Sequence, residues 1–398
     1  MSKRQVAMFA MVVAVAAACA EPTSVPAPVE AAPQPSFAAA QGQPVPGQFI
    51  VVLRDGAGDP RTLAPAMVAR VGGRLMFTYT HAVRGFAAQL GEAGVNAMRA
   101  DPSVAYVEQD QVYSINTTQT NATWGLDRID QRDLPLSDTF TYTNTGSGVN
   151  SYIIDTGIRF DHVEFGGRAV TGFDAVTSGG SAADCHGHGT HVAGTVGGAT
   201  YGVAKAVKLF AVRVLSCTGS GTTSGVVAGV DWVTGNHVKP AVANMSLGGG
   251  ASTTMDNAVK NSIAAGVSYA VAAGNGNRGG RQDDACKYSP ARVPEAMTIS
   301  ATNSSDAKPS WANYGNCVDW FAPGVSITSA WHTSSTATNT ISGTSMATPH
   351  TAGVAALYLQ GNPGASPQTV RDALYNATTK NKVSSSSTTN NHLLFTNY

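Results

Sequence analysis

Residues 149–155 read "VNSYIID". Tyr152, Ile153 and Ile154 follow one another without a polar break, and the run stops at an acid followed by Thr156-Gly157. A short apolar run without alternation, closed by turn residues, reads as a strand covered on both faces. The same texture recurs at "KLFAVRVL" (208–215), "VANMSL" (242–247), "VSYAVAAGN" (267–275) and "AMTIS" (296–300). Helix-like stretches lie between and after these runs: "HGTHVAGTVGG" (188–198), "TTSGVVAGVDWVTGN" (222–236), "TMDNAVKNSIAAG" (254–266) and "SMATPHTAGVAALYLQ" (345–360). Such alternation predicts an α/β fold, a parallel sheet with helices on both faces. Ligands in these sheets bind beyond the carboxyl ends of the strands. The residues just after each apolar run are therefore the ones to search for chemistry.

The chain has 398 residues, which points to more than one folded unit. Upstream of Trp124 the pattern is different. "FIVVL" reads as a strand and residues 61–72 as a helix. "RLMFTY" with "GFAAQL" reads as a hairpin, "EAGVNAMRA" as a second helix and "VAYVEQD" as a last strand. This β-α-β-β-α-β order predicts a small α+β, ferredoxin-like domain over residues 47–113. Residues 114–123, "SINTTQTNAT", are polar and poorly patterned, and read as an exposed linker open to cleavage near Thr118–Asn121. The large domain is expected over 124–398, with no further domain behind it.

At the front, Lys3 and Arg4 precede an uncharged apolar run from Val6 to Ala18. That run is too short to span a ~30 Å hydrocarbon core and matches a secretory signal over residues 1–20. Residues 21–46 are rich in Pro and Ala and read as a linker. Cys19 follows Ala16-Ala17-Ala18, which resembles a lipoprotein cleavage box except that Ala16 stands where leucine is usual. Two outcomes are open there: plain secretion, or a precursor anchored through lipid on Cys19. Lipid at that position would be lost with the N-terminal segment on maturation.

Lys+Arg is 25 and Asp+Glu is 25, a balance that argues against nucleic acid or a membrane surface as partner. Beyond Cys19, four cysteines remain at 185, 217, 286 and 317. In an exported chain they read as two disulfides, with three possible pairings.

Three segments carry candidate chemistry. Asp155 closes a strand. His186, His188 and His191 crowd "HGHGTHVAG" (186–194), where a zinc site would add Cys185 and perhaps Asp184. His188 and His191 are three apart rather than the four of the helical zinc motif, and Cys185 is better used in a disulfide. Ser345 stands at the head of a helix in "SGTSMATPH" (342–350). Ala347 replaces the last glycine of G-x-S-x-G, which disfavours the hydrolase elbow. A serine hydroxyl needs a base near neutral pKa, and that histidine needs a carboxylate to fix its tautomer. Asp155, His188 and Ser345 supply all three.

The stretches "YIIDTGI", "GHGTHVAGT", "NMSLGGG", "AAGN" and "SGTSMATPHTAG", in this order, resemble the subtilases (subtilisin-like serine peptidases). Within that family the proteinase K branch and its aqualysin-like members are nearest. The resemblance runs from Trp124 to the end and implies an exported serine endopeptidase of broad specificity. The small domain is then an inhibitory propeptide, and the mature enzyme a monomer acting on polypeptides. It further implies Asn275, with the Ser345 amide, as donors to the oxyanion. The substrate would lie as an added strand between Gly219-Ser220-Gly221 and Ser246-Leu247-Gly248. Its first pocket would be walled by Leu247, Gly248, Ala272, Ala273 and Gly274. The implied bridges are Cys185–Cys217 and Cys286–Cys317. Calcium is expected at Pro294, Ala296 and Asp319. A second calcium site is expected at Asp127, Asp130 and Gln131, although Ser137 and Thr139 replace ligating side chains there. Two rivals are distinguishable by assay. A metallohydrolase would lose activity to chelators, and a dead binding protein would not label at Ser345.

Overall fold

The structure is a computed structural model in which residues 44–111, 117–277 and 280–398 are described. The leader and the Cys19 reading fall outside them. The chain divides into two compact units, Met1–Tyr113 and Ser114–Tyr398.

The first unit contains β1 (Pro44–Leu53), α1 (Pro60–Arg70), β2 (Arg74–Tyr79), β3 (Gly85–Gln89), α2 (Glu92–Ala100) and β4 (Val104–Gln111). Its antiparallel sheet has the order β2-β3-β1-β4, the predicted ferredoxin-like arrangement. Alternation sends Val51, Leu53, Phe86 and Ala88 to one face, where Ala64, Met67 and Val68 of α1 and Val95 and Met98 of α2 cover them. Asp59 caps α1 by accepting from Arg61 N at 2.9 Å, and Pro60 fills the first helical position, where no N–H is needed.

The second unit begins with β5 (Thr117–Thr120), α3 (Trp124–Ile129), β6 (Thr139–Tyr142), β7 (Asn150–Asp155), β8 (Ala169–Asp174), α4 (His188–Gly197) and β9 (Lys208–Arg213). Next come α5 (Thr223–Asn236), β10 (Ala241–Met245), β11 (Gly249–Gly250), α6 (Thr253–Ala264), β12 (Val267–Ala272) and β13 (Tyr288–Ser289). The remainder is β14 (Met297–Thr302), β15 (Trp320–Pro323), β16 (Ile327–Ala330), β17 (Thr338–Ile341), α7 (Thr344–Gly361), α8 (Pro367–Ala377), β18 (Thr379–Lys380) and β19 (His392–Leu393). The main sheet runs β18-β19-β15-β14-β12-β10-β7-β9-β8 and is parallel except at β18–β19.

Both faces of this sheet are buried. Ile153, Val242 and Ala270 pack with α4 and α7, whereas Tyr152, Ile154, Ala243 and Val271 pack with α5 and α6. The register explains why the strands read as unbroken apolar runs. Helix α7 is buried along almost its whole length, including its polar Thr348, His350 and Thr351. From β7 the chain crosses to β8 and β9 on one side, then returns to β10 on the other. The switch point between β7 and β10 thus lies at the carboxyl end of the strand that carries Asp155.

The structure corrects one expectation. Residues 117–120 are not an unpatterned linker but strand β5, paired with β6 within the second unit. Threonines are β-branched and suit a strand. Thr118 and Thr141 hydroxyls share a hydrogen bond of 3.1 Å, and Gln119 Nε2 donates to the Thr200 carbonyl at 3.0 Å.

Candidate active site

Asp155 is the last residue of β7 and is fully buried. His188 opens α4 after Gly187, which adopts φ 109°. A Cβ on Gly189 would fall 2.2 Å from the Gly157 carbonyl oxygen, so glycine lets the start of α4 press against the turn after β7. That approach brings His188 Nδ1 to 2.8 Å from Asp155 Oδ1. The same Oδ1 accepts from Thr156 N at 2.7 Å, while no donor to Oδ2 is found among the described residues. Because Nδ1 faces a carboxylate it carries the hydrogen, which leaves Nε2 as the acceptor. Burial works to lower the proton affinity of His188. The charge and hydrogen bond of Asp155, with Asp184 behind, outweigh it and hold the pKa above the ordinary value.

Asp184 orders the loop before the helix. Its Oδ1 accepts from His186 N and Gly187 N at 2.9 and 3.0 Å, and its Oδ2 from Thr190 N at 2.9 Å. Thr156 Oγ1 donates to Asp184 at 2.9 Å and accepts from Gly189 N at 2.8 Å, which joins this loop to the end of β7.

Ser345 is the second residue of α7. Thr344 N is taken by Asn275 Oδ1, and Met346 N and Ala347 N bond to Gly343 O. For Ser345 N no acceptor is found among the described residues, so it is free for a ligand at the positive end of the helix. Pro349, four residues on, lacks an N–H, which strips the Ser345 carbonyl of its helical donor. Ser246 Oγ supplies one instead at 2.8 Å, itself held by Asn244 Nδ2 at 2.9 Å. The Ser345 hydroxyl donates to Ser246 O at 3.1 Å.

Asn275 follows β12 by three residues. Its Oδ1 accepts from both Thr344 N and Thr344 Oγ1 at 2.8 Å. A backbone N–H can only donate, so the amide cannot be flipped and Nδ2 is left pointing away from Thr344.

Ser345 borders two adjoining cavities. One, of about 490 Å³, is lined by His186, His188, Gly219, Ser220, Gly221, Ser246, Leu247 and Gly248, among others. The other, of about 250 Å³, is lined by Leu247, Gly248, Ala272, Ala273, Gly274, Asn275 and Asn313, among others, and by no charged side chain. Every residue expected to contact substrate therefore lines one of the two cavities that Ser345 borders.

The cysteines pair as Cys185–Cys217 and Cys286–Cys317. His191 is fully buried with Nε2 at 2.9 Å from the Ile327 carbonyl, and burial pushes its pKa down to about 4.

The two expected calcium sites differ in how well their residues suit a cation. Asp319 Oδ2 accepts from Thr298 N at 2.7 Å, and its Oδ1 is paired with the Arg371 guanidinium. A second cation on that carboxylate would compete with Arg371, so Asp319 with the Pro294 and Ala296 carbonyls does not fit calcium as arranged. At the other site, Asp127 accepts from Ser137 N, Ser137 Oγ and Asp138 N, and Asp130 Oδ2 from Thr141 N. Asp130 Oδ1 is buried with no donor found among the described residues. Burial and the neighbouring Asp127 charge push the Asp130 pKa up to about 6. Gln131 Nε2 turns to the Asp133 and Pro135 carbonyls. An orphaned carboxylate oxygen with Asp127 as a charged neighbour suits a hard cation, so this group fits better than the first.

Reading the sequence did not find Thr344 as the residue that orients Asn275, nor the inward hydroxyl of Ser246. The signal for Ser246 was present: a proline four residues after Ser345 leaves one carbonyl in need of a donor.

A family model described as the subtilase family matches residues 146–393, and one described as peptidase inhibitor I9 matches residues 48–116. The chain is 56% identical over 359 residues to an extracellular serine proteinase of Thermus sp. (strain Rt41A), covering 85% of this chain and 86% of that one. It is 52% identical over 323 residues to alkaline serine exoprotease A of Vibrio alginolyticus, covering 80% and 59%. A crystal structure of a cold adapted subtilisin-like serine proteinase matches with TM-score 0.67 and 56% identity, covering 69% of this chain and 98% of that one.

Proposed function

The chain belongs to the subtilase family, and from that premise we propose that it is an exported serine endopeptidase, made as a zymogen, whose nucleophile is Ser345. The observation that carries this reading is the 2.8 Å bond to buried Asp155 from His188, which lines the same cleft as Ser345.

Rotation of the Ser345 side chain releases Ser246 O and presents Oγ to His188 Nε2. His188 takes the proton as Oγ attacks the substrate carbonyl carbon, and Asp155 stabilises the imidazolium. The carbonyl oxygen becomes an oxyanion that accepts from Ser345 N and Asn275 Nδ2. Collapse breaks the C–N bond, and His188 returns its proton to the leaving amine. Water then attacks the acyl-serine ester with His188 again as base, which frees the acid and restores the hydroxyl.

Substrate binds as an added strand between residues 219–221 and 246–248, held through its main chain, so specificity is broad. The uncharged walls of the first pocket favour apolar and aromatic residues there. The I9-like unit acts as an intramolecular inhibitor and is removed on maturation. Thr117 starts a strand paired to β6, which favours release before Thr117 rather than within 118–121. Export agrees with the name of the Thermus relative, an extracellular proteinase. Asp127, Asp130 and Gln131 would hold a structural calcium, which would neutralise the Asp130 carboxylate.

The test is self-processing. Full-length precursor and its Ser345→Ala variant are incubated side by side, and the product is sequenced from its N-terminus. Wild type should convert to a form starting at or near Thr117 while the variant stays intact. Equal conversion of both would overturn the proposal.

A further inference from the structure

Asn313 lies in the loop between β14 and β15 and is fully buried. Its Oδ1 accepts from Gly276 N and Asp283 N, both at 2.9 Å, and its Nδ2 donates to Ala273 O at 2.9 Å. Its own N–H donates to Gly274 O at 3.0 Å, and its carbonyl accepts from Ser300 Oγ at 2.7 Å. Two N–H donors on Oδ1 fix the orientation of the amide. Ala273, Gly274 and Gly276 flank Asn275 on both sides, so one side chain and its amide grip the backbone that carries Asn275. Gly274 sits at φ 100°, and a Cβ there would fall 2.6 Å from Asn313 Nδ2. The segment therefore needs glycine at that point to accept the clamp.

We infer that Asn313 is a positioning residue for the reaction: it fixes the main chain on either side of Asn275, while Thr344 fixes the carboxamide itself. Resting on the proposed oxyanion role of Asn275, this assigns two separate constraints to one donor. Thr344 sets the side-chain torsion through Oδ1 and accepts from Gly274 N at 3.1 Å, and Asn313 holds the main chain on both sides of Asn275, at Ala273, Gly274 and Gly276. Because Ala273 and Gly274 also wall the first pocket, the clamp couples the shape of that pocket to the position of the donor. A buried asparagine whose Nδ2, Oδ1 and N–H all reach the Asn275 segment differs from a core polar group that merely satisfies itself. Its loss acts on the transition state rather than on folding alone.

Asn313→Asp keeps the shape and the Oδ1 acceptor but sets an oxygen against the Ala273 carbonyl. The experiment places Asn313→Asp in the wild-type and Asn275→Ala backgrounds. Full-length precursors are matured with a trace of wild-type enzyme, and Ser345→Ala precursor is carried through as the blank. kcat and KM are read on a peptide anilide against active-site concentration. Asn275→Ala should lower kcat by ~10²–10³ with little change in KM. Asn313→Asp should lower kcat by ~10²-fold alone, the scale of a small misplacement, and add almost nothing in the Asn275→Ala background. Loss by the same factor in both backgrounds, or a lower melting temperature with kcat intact, would overturn the inference. No effect of Asn275→Ala itself would instead overturn the oxyanion role beneath it. Asn313→Ser, which removes the amide without adding charge, carries the same comparison if the aspartate variant does not accumulate.

Discussion

Asp155→Asn tests how the acid supports the base. In this structure one oxygen, Oδ1, accepts from both Thr156 N and His188 Nδ1. Thr156 N is an obligate donor, so in the variant the amide oxygen should take the Oδ1 position and the NH2 group the Oδ2 position, where no donor competes. His188 Nδ1–H then keeps an acceptor, and the tautomer survives. What disappears is the charge opposite the imidazolium. Unit charges ~4 Å apart at an effective dielectric of ~20 attract by about 4 kcal/mol. One face of His188 is open to the cleft, with 20% of its side chain exposed. Screening there brings the expected loss in kcat to ~10²–10³, against the ~10⁴ that follows when an asparagine forces the wrong tautomer. Removing the charge also leaves burial less opposed, so the His188 pKa falls and the acid limb of kcat/KM moves to lower pH. Pre-steady-state and pH-rate measurements on a peptide anilide, normalised by active-site titration, read both effects. A loss as large as that of Asp155→Ala, or an acid limb that does not move, would refute the reasoning.

Three further outcomes are expected. Ser246→Ala should lower stability by ~1–3 kcal/mol in denaturant unfolding of the inhibited enzyme, because the Ser345 carbonyl loses the donor that replaces the missing Pro349 N–H. His350 is buried neutral, with burial pushing its pKa down to about 4. The unfolded chain then binds the extra proton between about pH 6.5 and 4, so the stabilising contribution is complete above 6.5 and is lost as pH falls. His350→Gln should make the acid-induced fall over that window smaller by up to ~3 kcal/mol, measured as unfolding midpoint against pH. Calcium should raise the melting temperature of the mature enzyme. Asp130→Asn should remove most of that rise while Asp319→Asn leaves it, and the reverse pattern would move the site.

The fold was legible where burial dominates. Strands covered on both faces show as continuous apolar runs, so β7, β9, β10, β12 and β14 stood out. β8 did not, because Gly172 interrupts it where a side chain would strike Trp232 and the Ala211 carbonyl. The short β15, Trp320–Pro323, ends in proline and gave too little pattern. α8 was also missed, although Ser366 accepts from Thr369 N, Pro367 opens the helix and only Val370 and Leu374 are buried. Asp155, His188 and Ser345 were readable because each stands at a strand end or a helix head, whereas the role of Asn275, three residues past β12, came only from the resemblance to the subtilases. Their supports were not readable: Thr344 reaches Asn275 across 69 residues, Asn313 reaches Gly276 and Ala273 across 37 and 40, and Asp184 is tied to Thr156 across 28, contacts that leave no periodic trace. The Arg371 partner of Asp319 was likewise invisible, since it lies 52 residues on.

The most direct measurement is intact-mass analysis after reaction with a fluorophosphonate. Wild type should gain one adduct, mapped to Ser345, with Ser345→Ala unlabelled and His188→Ala labelled far more slowly. An adduct on another residue, or peptide cleavage by Ser345→Ala at the wild-type rate, would contradict a serine activated by the His188–Asp155 pair.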